Sequence, residues 1–558
     1  MADTPSLPDL QHWTWVLGRA QQIMMEQGQA LLHARPDALA VAPGAIDLWA
    51  ESMTLWQRVL DPEYDAEVRP NADKRFNGAE WREPVFEVIR QSYEMIGEHL
   101  LRGVDAVEGV SDKQRAQLRF ATRGVLDAMS PTNFPLTNPQ VIEKTIETGG
   151  ANLLKGLEAM LADLARGQLT HTPQGAFAVG RTLATAPGKV VKRTPLYELI
   201  HYAPTTESVL ATPLVIFPPW INRFYILDLT PEKSFVRWVV AQGVSVFMVS
   251  WKSADASMKD VTWDDYVAAQ LDAIDTVRAL LDMPSVHTIG YCVAGTTLAA
   301  TLALRAARGQ ADTVASATFL TAQVDFSAAG DLQHFVDDDQ LAMLAQLSPE
   351  GFLDGRYMAT TFNLLRGRDL IWNYVTQKYL LGQDPVPFDL LHWNGDTTNL
   401  PAKWHLRYLT DLYRDNLLVQ PGGIRIDGTP IDLTNVTTPS YVQAGREDHI
   451  APAESVWKLT QAFAGPMKFV LAGSGHIAGV VNPPASGRYQ YWTNPASAET
   501  FADFVAGAVE TEGSWWPDWI DWVRAIDADT VTATGARQPG EGALPALGDA
   551  PGLYVLAR

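Results

Sequence analysis

From Leu7 to about Gln168, apolar residues recur at spacings of three and four, which puts them on one face of a helix and predicts an all-helical region. The segment Trp13-Thr-Trp-Val-Leu-Gly-Arg-Ala-Gln-Gln-Ile-Met-Met25 opens it as an amphipathic helix, which packs on its own domain in preference to a partner. Two stretches punctuate the helices. Asp73-Lys-Arg-Phe-Asn-Gly-Ala-Glu-Trp81 is one, and Ser130-Pro-Thr-Asn-Phe-Pro-Leu-Thr-Asn-Pro139, with three prolines in ten residues, is a loop. Near Val179 the period changes from helical to alternating. Arg181 to Val191 and Leu196 to Tyr202 read as antiparallel strands around a Pro-Gly turn.

Beyond that hairpin, short β-prone runs alternate with helical stretches: Pro213–Phe217, Val244–Val249, Val286–Ile289, Ser316–Leu320, Ser440–Gln443 and Lys468–Leu471. Apolar strands separated by helices predict a parallel sheet covered on both faces. Between the fourth and fifth runs, from about Ser327 to Asn435, the rhythm lapses, and this stretch is expected to be an inserted cap. A cap over the sheet's carboxyl edge would keep water from a site there, against the plainer reading of a structural insertion. Trp515 to Trp522 carries four tryptophans at helical spacing, expected to pack on the core. The tail from Asp529 to Arg558 reads as extended. The fold expected is α/β: residues 1–175 form a helical domain, and 176–558 a catalytic domain with the cap at about 327–435.

Composition changes this picture little but narrows the function. The 558 residues, 47% hydrophobic and 19% charged, have the makeup of a globular chain. With 43 Lys and Arg against 64 Asp and Glu, the net charge of −21 opposes non-specific binding to nucleic acid or anionic lipid. No basic leader and no apolar run of membrane-spanning length stand out, so cytoplasmic residence is expected. A single cysteine excludes an intrachain disulfide and a cysteine-cluster metal site. No histidine pair has metal-ligand spacing, so neither metal nor cofactor is expected.

That cysteine, Cys292, lies where a β run turns into an alanine-rich helix, in His287-Thr-Ile-Gly-Tyr-Cys-Val-Ala-Gly295. A lone cysteine is usually a small buried hydrophobe. At the apex of a strand-turn-helix flanked by Gly290 and Ala294, it reads instead as a nucleophile on an elbow, where strand and helix pass too close for bulky side chains. Ala294 replaces the usual glycine. A thiol nucleophile needs a base, and the base an orienting acid. Gly445-Arg-Glu-Asp-His-Ile-Ala-Pro452 follows the fifth run and offers Asp448; Gly473-Ser-Gly-His-Ile-Ala478 follows the sixth and offers His476. The order nucleophile, acid, histidine is that of α/β-hydrolases. His449 competes as base, and Glu447 and Asp325 as acid. For an oxyanion hole, one N–H comes from Val293 and a second from Trp220 or Ile221, in the loop Pro218-Pro-Trp-Ile-Asn-Arg-Phe-Tyr225.

The motifs Asp73-Lys-Arg-Phe, Ser130-Pro-Thr-Asn-Phe-Pro, Leu196-Tyr-Glu-Leu-Ile, Pro218 to Asp228, Gly290-Tyr-Cys-Val-Ala-Gly295, His392-Trp-Asn-Gly-Asp396, Gly445 to Ile450, Gly475-His-Ile-Ala-Gly479 and Gly513-Ser-Trp-Trp-Pro517 follow one another along nearly the whole chain. In this order they resemble the polyhydroxyalkanoate synthases of the single-subunit class I type, an α/β-hydrolase family. The resemblance implies a triad of Cys292, Asp448 and His476. It implies that (R)-3-hydroxyacyl-CoA thioesters are polymerised to polyester with release of CoA through an acyl-cysteine. It also implies a homodimer working at the surface of cytoplasmic polyester granules. A thioesterase or lipase-like hydrolase of the same fold is the alternative, and a granule-binding protein without chemistry is a third reading, disfavoured by the complete set of catalytic residue types.

Overall fold

The computed structural model describes residues 54–55, 73–496 and 498–557, without the side chains of His334 and Phe335; the amphipathic segment Trp13–Met25 lies outside them. The chain divides into two compact units, one of residues 1–173 and 359–387, the other of residues 174–358 and 388–558.

In the first unit the expected helices form: α1 (Pro84–Asp105), α2 (Asp112–Ala128), α3 (Pro139–Thr148) and α4 (Ala151–Arg166). Their ends follow from local chemistry. Ser111 and Gln114 form a reciprocal capping box on α2. Asn138 caps α3, whose first position is Pro139, and Gly149 closes it in the left-handed conformation. The Pro131 loop is anchored by Asn133, which donates to the carbonyls of Asp127 and Ala128.

Residues 359–387, from the middle of the expected cap, pack within this unit. On α4 the buried Asp163 accepts from Lys378 Nζ at 2.6 Å and Tyr379 Oη at 2.7 Å, and Asn152 Nδ2 donates to the Leu380 carbonyl at 2.8 Å. At Gly156 the helix approaches so closely that an added Cβ would sit 1.8 Å from the Tyr379 oxygen. The insertion is therefore not one body: its middle belongs with the helices and its flanks with the sheet.

The second unit is built on an eleven-stranded sheet. Its strands are β1 (Gly188–Arg193), β2 (Tyr197–Tyr202), β3 (Leu214–Phe217), β4 (Val246–Trp251), β5 (Val286–Tyr291), β6 (Val314–Leu320), β7 (Ser440–Gly445), β8 (Met467–Ala472), β9 (Gln490–Thr493), β10 (Val509–Glu512) and β11 (Gly548–Asp549). The spatial order is β10-β9-β8-β7-β6-β5-β3-β4-β2-β1-β11. The six strands predicted from the β-prone runs, β3 to β8, are its parallel centre. Every residue of β3, β4, β5 and β7 is buried, as expected for strands covered on both faces.

The hairpin differs from expectation in where it turns. Pro187-Gly188 leads into β1, and the chain reverses at Thr194–Leu196, where Thr194 Oγ1 accepts from the N–H groups of Leu196 and Tyr197. The tail is partly ordered into strands: Thr530–Thr532 pairs with Ser208–Leu210, and β11 pairs with β1. The tryptophan segment forms α7 (Trp516–Ile526), with Trp516, Trp519, Ile520 and Val523 facing the core as predicted.

Candidate active site

The sheet brings three loops to one edge. β5 ends at Tyr291, and Cys292 turns the chain with φ 54° and ψ −128° into α6 (Val293–Ala307). A positive φ on a residue with a Cβ is strained and is held only where its surroundings over-determine it. Here the Cys292 N–H donates to the Leu320 carbonyl at 2.9 Å, and its own carbonyl takes the N–H groups of Gly295 and Thr296. The close approach at the elbow is between Gly290 and Gly295: a Cβ on Gly290 would lie 2.5 Å from the Gly295 Cα. Ala294 is fully buried beside them, and its carbonyl accepts from Gln270 on α5 (Trp263–Leu281). The glycine that the turn requires is thus Gly295, which explains why alanine at 294 is tolerated.

β7 delivers Asp448 and β8 delivers His476 to the same edge. His476 Nδ1–H donates to Asp448 Oδ2 at 2.7 Å, while Asp448 Oδ1 accepts from the N–H groups of Ile450 and Ala451. The Cys292 sulfur lies near enough to the same imidazole to favour its protonated form. Both Asp448 and His476 are buried. Burial disfavours the imidazolium, but the Asp448 carboxylate, the nearby Cys292 sulfur and the hydrogen bond to Asp448 outweigh it and push the His476 pKa up to about 10. Such a ring takes up the thiol proton readily. Tyr291 Oη donates to the His476 carbonyl, and at the start of α7 the indoles of Trp515 and Trp516 donate to the carbonyls of Gly479 and Val480, fixing the histidine loop from behind.

The competitors are placed elsewhere. Glu447 is exposed. Asp325 is bound by Ser327 and Asn416 rather than by a histidine, and of the two candidate bases it is His476, not His449, that Asp448 Oδ2 pairs with.

Phe217 pairs with Gly290, so the loop after β3 leaves the sheet beside the elbow. Among the described residues the N–H of Ile221 meets no acceptor within the chain, and that of Val293, in the first turn of α6, is one of the donors a helix leaves free.

Sequence reasoning missed an aromatic and amide cluster beside the thiol. Gln323, just past β6, donates to Tyr413 Oη at 3.4 Å, accepts from Ser455 at 2.8 Å, and through its carbonyl takes Thr296 Oγ1 at 2.7 Å. Tyr408 lies edge-on to Tyr413, ring centroids 5.6 Å apart, and burial, with the nearby Cys292, pushes both phenols above their ordinary pKa. They stay protonated. The only signal in the sequence was the Tyr and Trp richness of the insertion, which does not say which rings turn inward.

Residues 72–239 match the family described as poly-beta-hydroxybutyrate polymerase (PhaC) N-terminus, and residues 218–483 match the alpha/beta hydrolase fold. The chain is 44% identical to a poly(3-hydroxyalkanoate) polymerase subunit PhaC of Rhizobium meliloti, over 92% of this chain and 84% of that one. It is 42% identical to a poly(3-hydroxyalkanoate) polymerase of Methylorubrum extorquens, over 99% and 91%, and 42% identical to the PhaC subunit of Cupriavidus necator, over 90% and 86%. This chain belongs to the poly(3-hydroxyalkanoate) polymerase family. The resemblance drawn from its motifs holds over most of its length, and the sheet with its elbow has the α/β-hydrolase fold of that family. Among the described residues no helix is long and apolar enough to cross a membrane, and no group of three His, Cys, Asp or Glu is placed to hold a metal ion.

Proposed function

We propose that this chain polymerises (R)-3-hydroxyacyl-CoA thioesters into polyester and releases CoA through an acyl-cysteine on Cys292. The observation that carries the reading is the Asp448–His476 hydrogen bond at 2.7 Å, with the imidazole near Cys292 on a strained elbow, within a chain 42–44% identical to poly(3-hydroxyalkanoate) polymerases. His476 takes the Cys292 proton, and the thiolate attacks the substrate thioester carbonyl. The tetrahedral oxyanion is met by the N–H groups of Val293 and Ile221. As the C–S bond to CoA breaks, His476 returns the proton to the CoA sulfur, leaving neutral imidazole and an acyl-enzyme. Acylation removes the thiolate charge that helped hold a proton on His476. The ring is then free to take the proton of an incoming 3-hydroxyl, whose oxygen attacks an acyl-thioester; the new ester C–O bond replaces the C–S bond, and the departing sulfur takes the proton back from His476 as the chain lengthens.

Water competes with that hydroxyl. The flanks of the insertion, with Tyr408 and Tyr413 beside the thiol, support a dry site in which the alcohol wins. The growing product is an insoluble polyester, so the reading includes a place at a granule surface, supported by the exposed leucines of α4, and a homodimer carried over from the family resemblance.

Purified protein given (R)-3-hydroxybutyryl-CoA is expected to release CoA while the solution turns turbid. Free 3-hydroxybutyrate in step with CoA, without turbidity, would sink this reading and favour a thioesterase. Cys292→Ala is expected to lower CoA release by about 10⁴-fold or more.

A further inference from the structure

The motif Pro218 to Asp228 contains a cation that the mechanism does not use. Arg223 is 3% exposed, and its Nε donates to the equally buried Asp396 Oδ1 at 2.9 Å. Its other nitrogens reach the end of the chain: Nη1 donates to the Val555 carbonyl at 2.8 Å, and Nη2 to the Ala557 carbonyl at 2.9 Å. Tyr225 Oη donates to the second oxygen of Asp396 at 2.9 Å. A buried ion pair is poor stabilisation, because desolvating both charges consumes most of what their attraction returns. Such a pair is better suited to fixing a position.

What it fixes follows from peptide geometry. In a trans peptide the N–H points opposite to the preceding carbonyl. Thr398 Oγ1 donates to the Trp220 carbonyl at 2.6 Å, so this bond turns the Ile221 N–H to the opposite side, while Trp251 Nε1 holds the Pro218 carbonyl at 2.8 Å and Trp393 Nε1 the Arg223 carbonyl at 2.7 Å. Thr398 lies two residues from Asp396, on the segment that Arg223 ties to the tail. The tail has an anchor of its own, since the buried Glu198 Oε2 accepts from the N–H groups of Leu553 and Tyr554 at 2.8 and 3.0 Å.

We propose that Arg223 is a positioning residue through which the C-terminal segment 553–557, with Asp396 and Thr398, aims the Ile221 N–H at the developing oxyanion. The inference rests on the acyl-cysteine reading above. It makes the chain end a part of the acyl-transfer machinery without touching substrate. It also selects Ile221 over Trp220 as the second donor, because the carbonyl of the Trp220–Ile221 peptide is the one that Thr398 holds.

The test separates thiolate chemistry from oxyanion chemistry in the full-length protein. Cys292 is the sole cysteine, so iodoacetamide reads its nucleophilicity alone, and alkylation at carbon develops no oxyanion. CoA release from 3-hydroxybutyryl-CoA reads both, whether the acyl group goes to polymer or to water; turbidity reports on the proposed function, and CoA release on Arg223. Arg223→Lys and Thr398→Val are each expected to lower kcat for CoA release by about 10- to 100-fold, with KM and the alkylation rate changed less than about threefold. Loss of alkylation in parallel with CoA release, or unchanged kcat, would overturn the proposal. Since Arg223→Met leaves Asp396 buried and unpaired, the double variant Arg223→Met with Asp396→Leu guards against mere unfolding. It is expected to regain the parent's melting temperature while kcat stays low. Recovery of both would reduce Arg223 to a structural role.

Discussion

Two helices of this chain are turned in opposite senses. α6, behind the elbow, buries every residue from Val293 to Arg305, and its apolar side chains belong to one large hydrophobic core. α4, in the helical unit, buries Asn152, Gly156 and Asp163, while Leu154, Leu157 and Leu161 are 67%, 47% and 56% exposed. Both have apolar sequences. The difference teaches that apolar content predicts a helix and not its inward face. α6 is held by dispersion and burial, whereas α4 is held by a charged and hydrogen-bonded seam around Asp163 and by close backbone contact at Gly156. Cys292 immediately precedes the fully buried element, where a strained turn can be maintained.

Acid should break the comparison most strongly. The sheet unit contains three histidines that burial keeps neutral: His201 is held down to about 3, with Arg537 contributing, and His287 and His405 to about 4. Because these pKa values lie below the unfolded value of about 6.5, the unfolded chain binds protons first. The stability these rings contribute is complete above that pH and is lost as pH falls towards 4. The loss approaches about 1.4 kcal/mol per pH unit for each ring. Acidification also brings a chain of net charge −21 towards neutrality, which relieves self-repulsion, so the two effects have opposite signs. Calorimetric scans from pH 6.5 to 5 in high salt, which screens the self-repulsion, are expected to show falling stability; a flat or rising curve there would contradict the buried, neutral state of these rings.

The two close backbone approaches give the next test. Gly290→Ala places a Cβ against the Gly295 backbone and Gly156→Ala places one against the Tyr379 carbonyl, so each is expected to cost about 3 kcal/mol in denaturant titrations. Only the first should also abolish acyl transfer in the molecules that remain folded. Equal loss of activity in both would mean that the seam of the helical unit supports the site. The smallest effect is expected on the outward face of α4. Leu157→Ser and Leu161→Ser should change stability by no more than about 0.5 kcal/mol, and a larger drop would show that this face is covered.

Much of the site was legible because its chemistry is local. A cysteine between a β run and a helix, and an acid and a histidine each directly after a later β run, are features of consecutive residues, and the sheet then gathers the ends of parallel strands at one edge. The Gly290–Gly295 contact was misassigned to Ala294 because sequence spacing does not say which Cα faces the strand. Tyr413, Gln323 and Arg223 were not legible as parts of the site at all: their partners lie 90, 132 and 332 residues away, as in Gln323–Tyr413, Gln323–Ser455 and Arg223–Val555.

By itself the sequence determined the helical and sheet regions, the six parallel strands and the three residue types of the proposed triad, since period and turn chemistry are properties of neighbours along the chain. Only the tertiary structure decided that the insertion is shared between two units, that α4 buries its polar face, and that the chain end returns to hold the loop beside the elbow. These outcomes depend on which surfaces meet, and hydrogen bonds and buried charges between distant segments leave no periodic trace in the sequence.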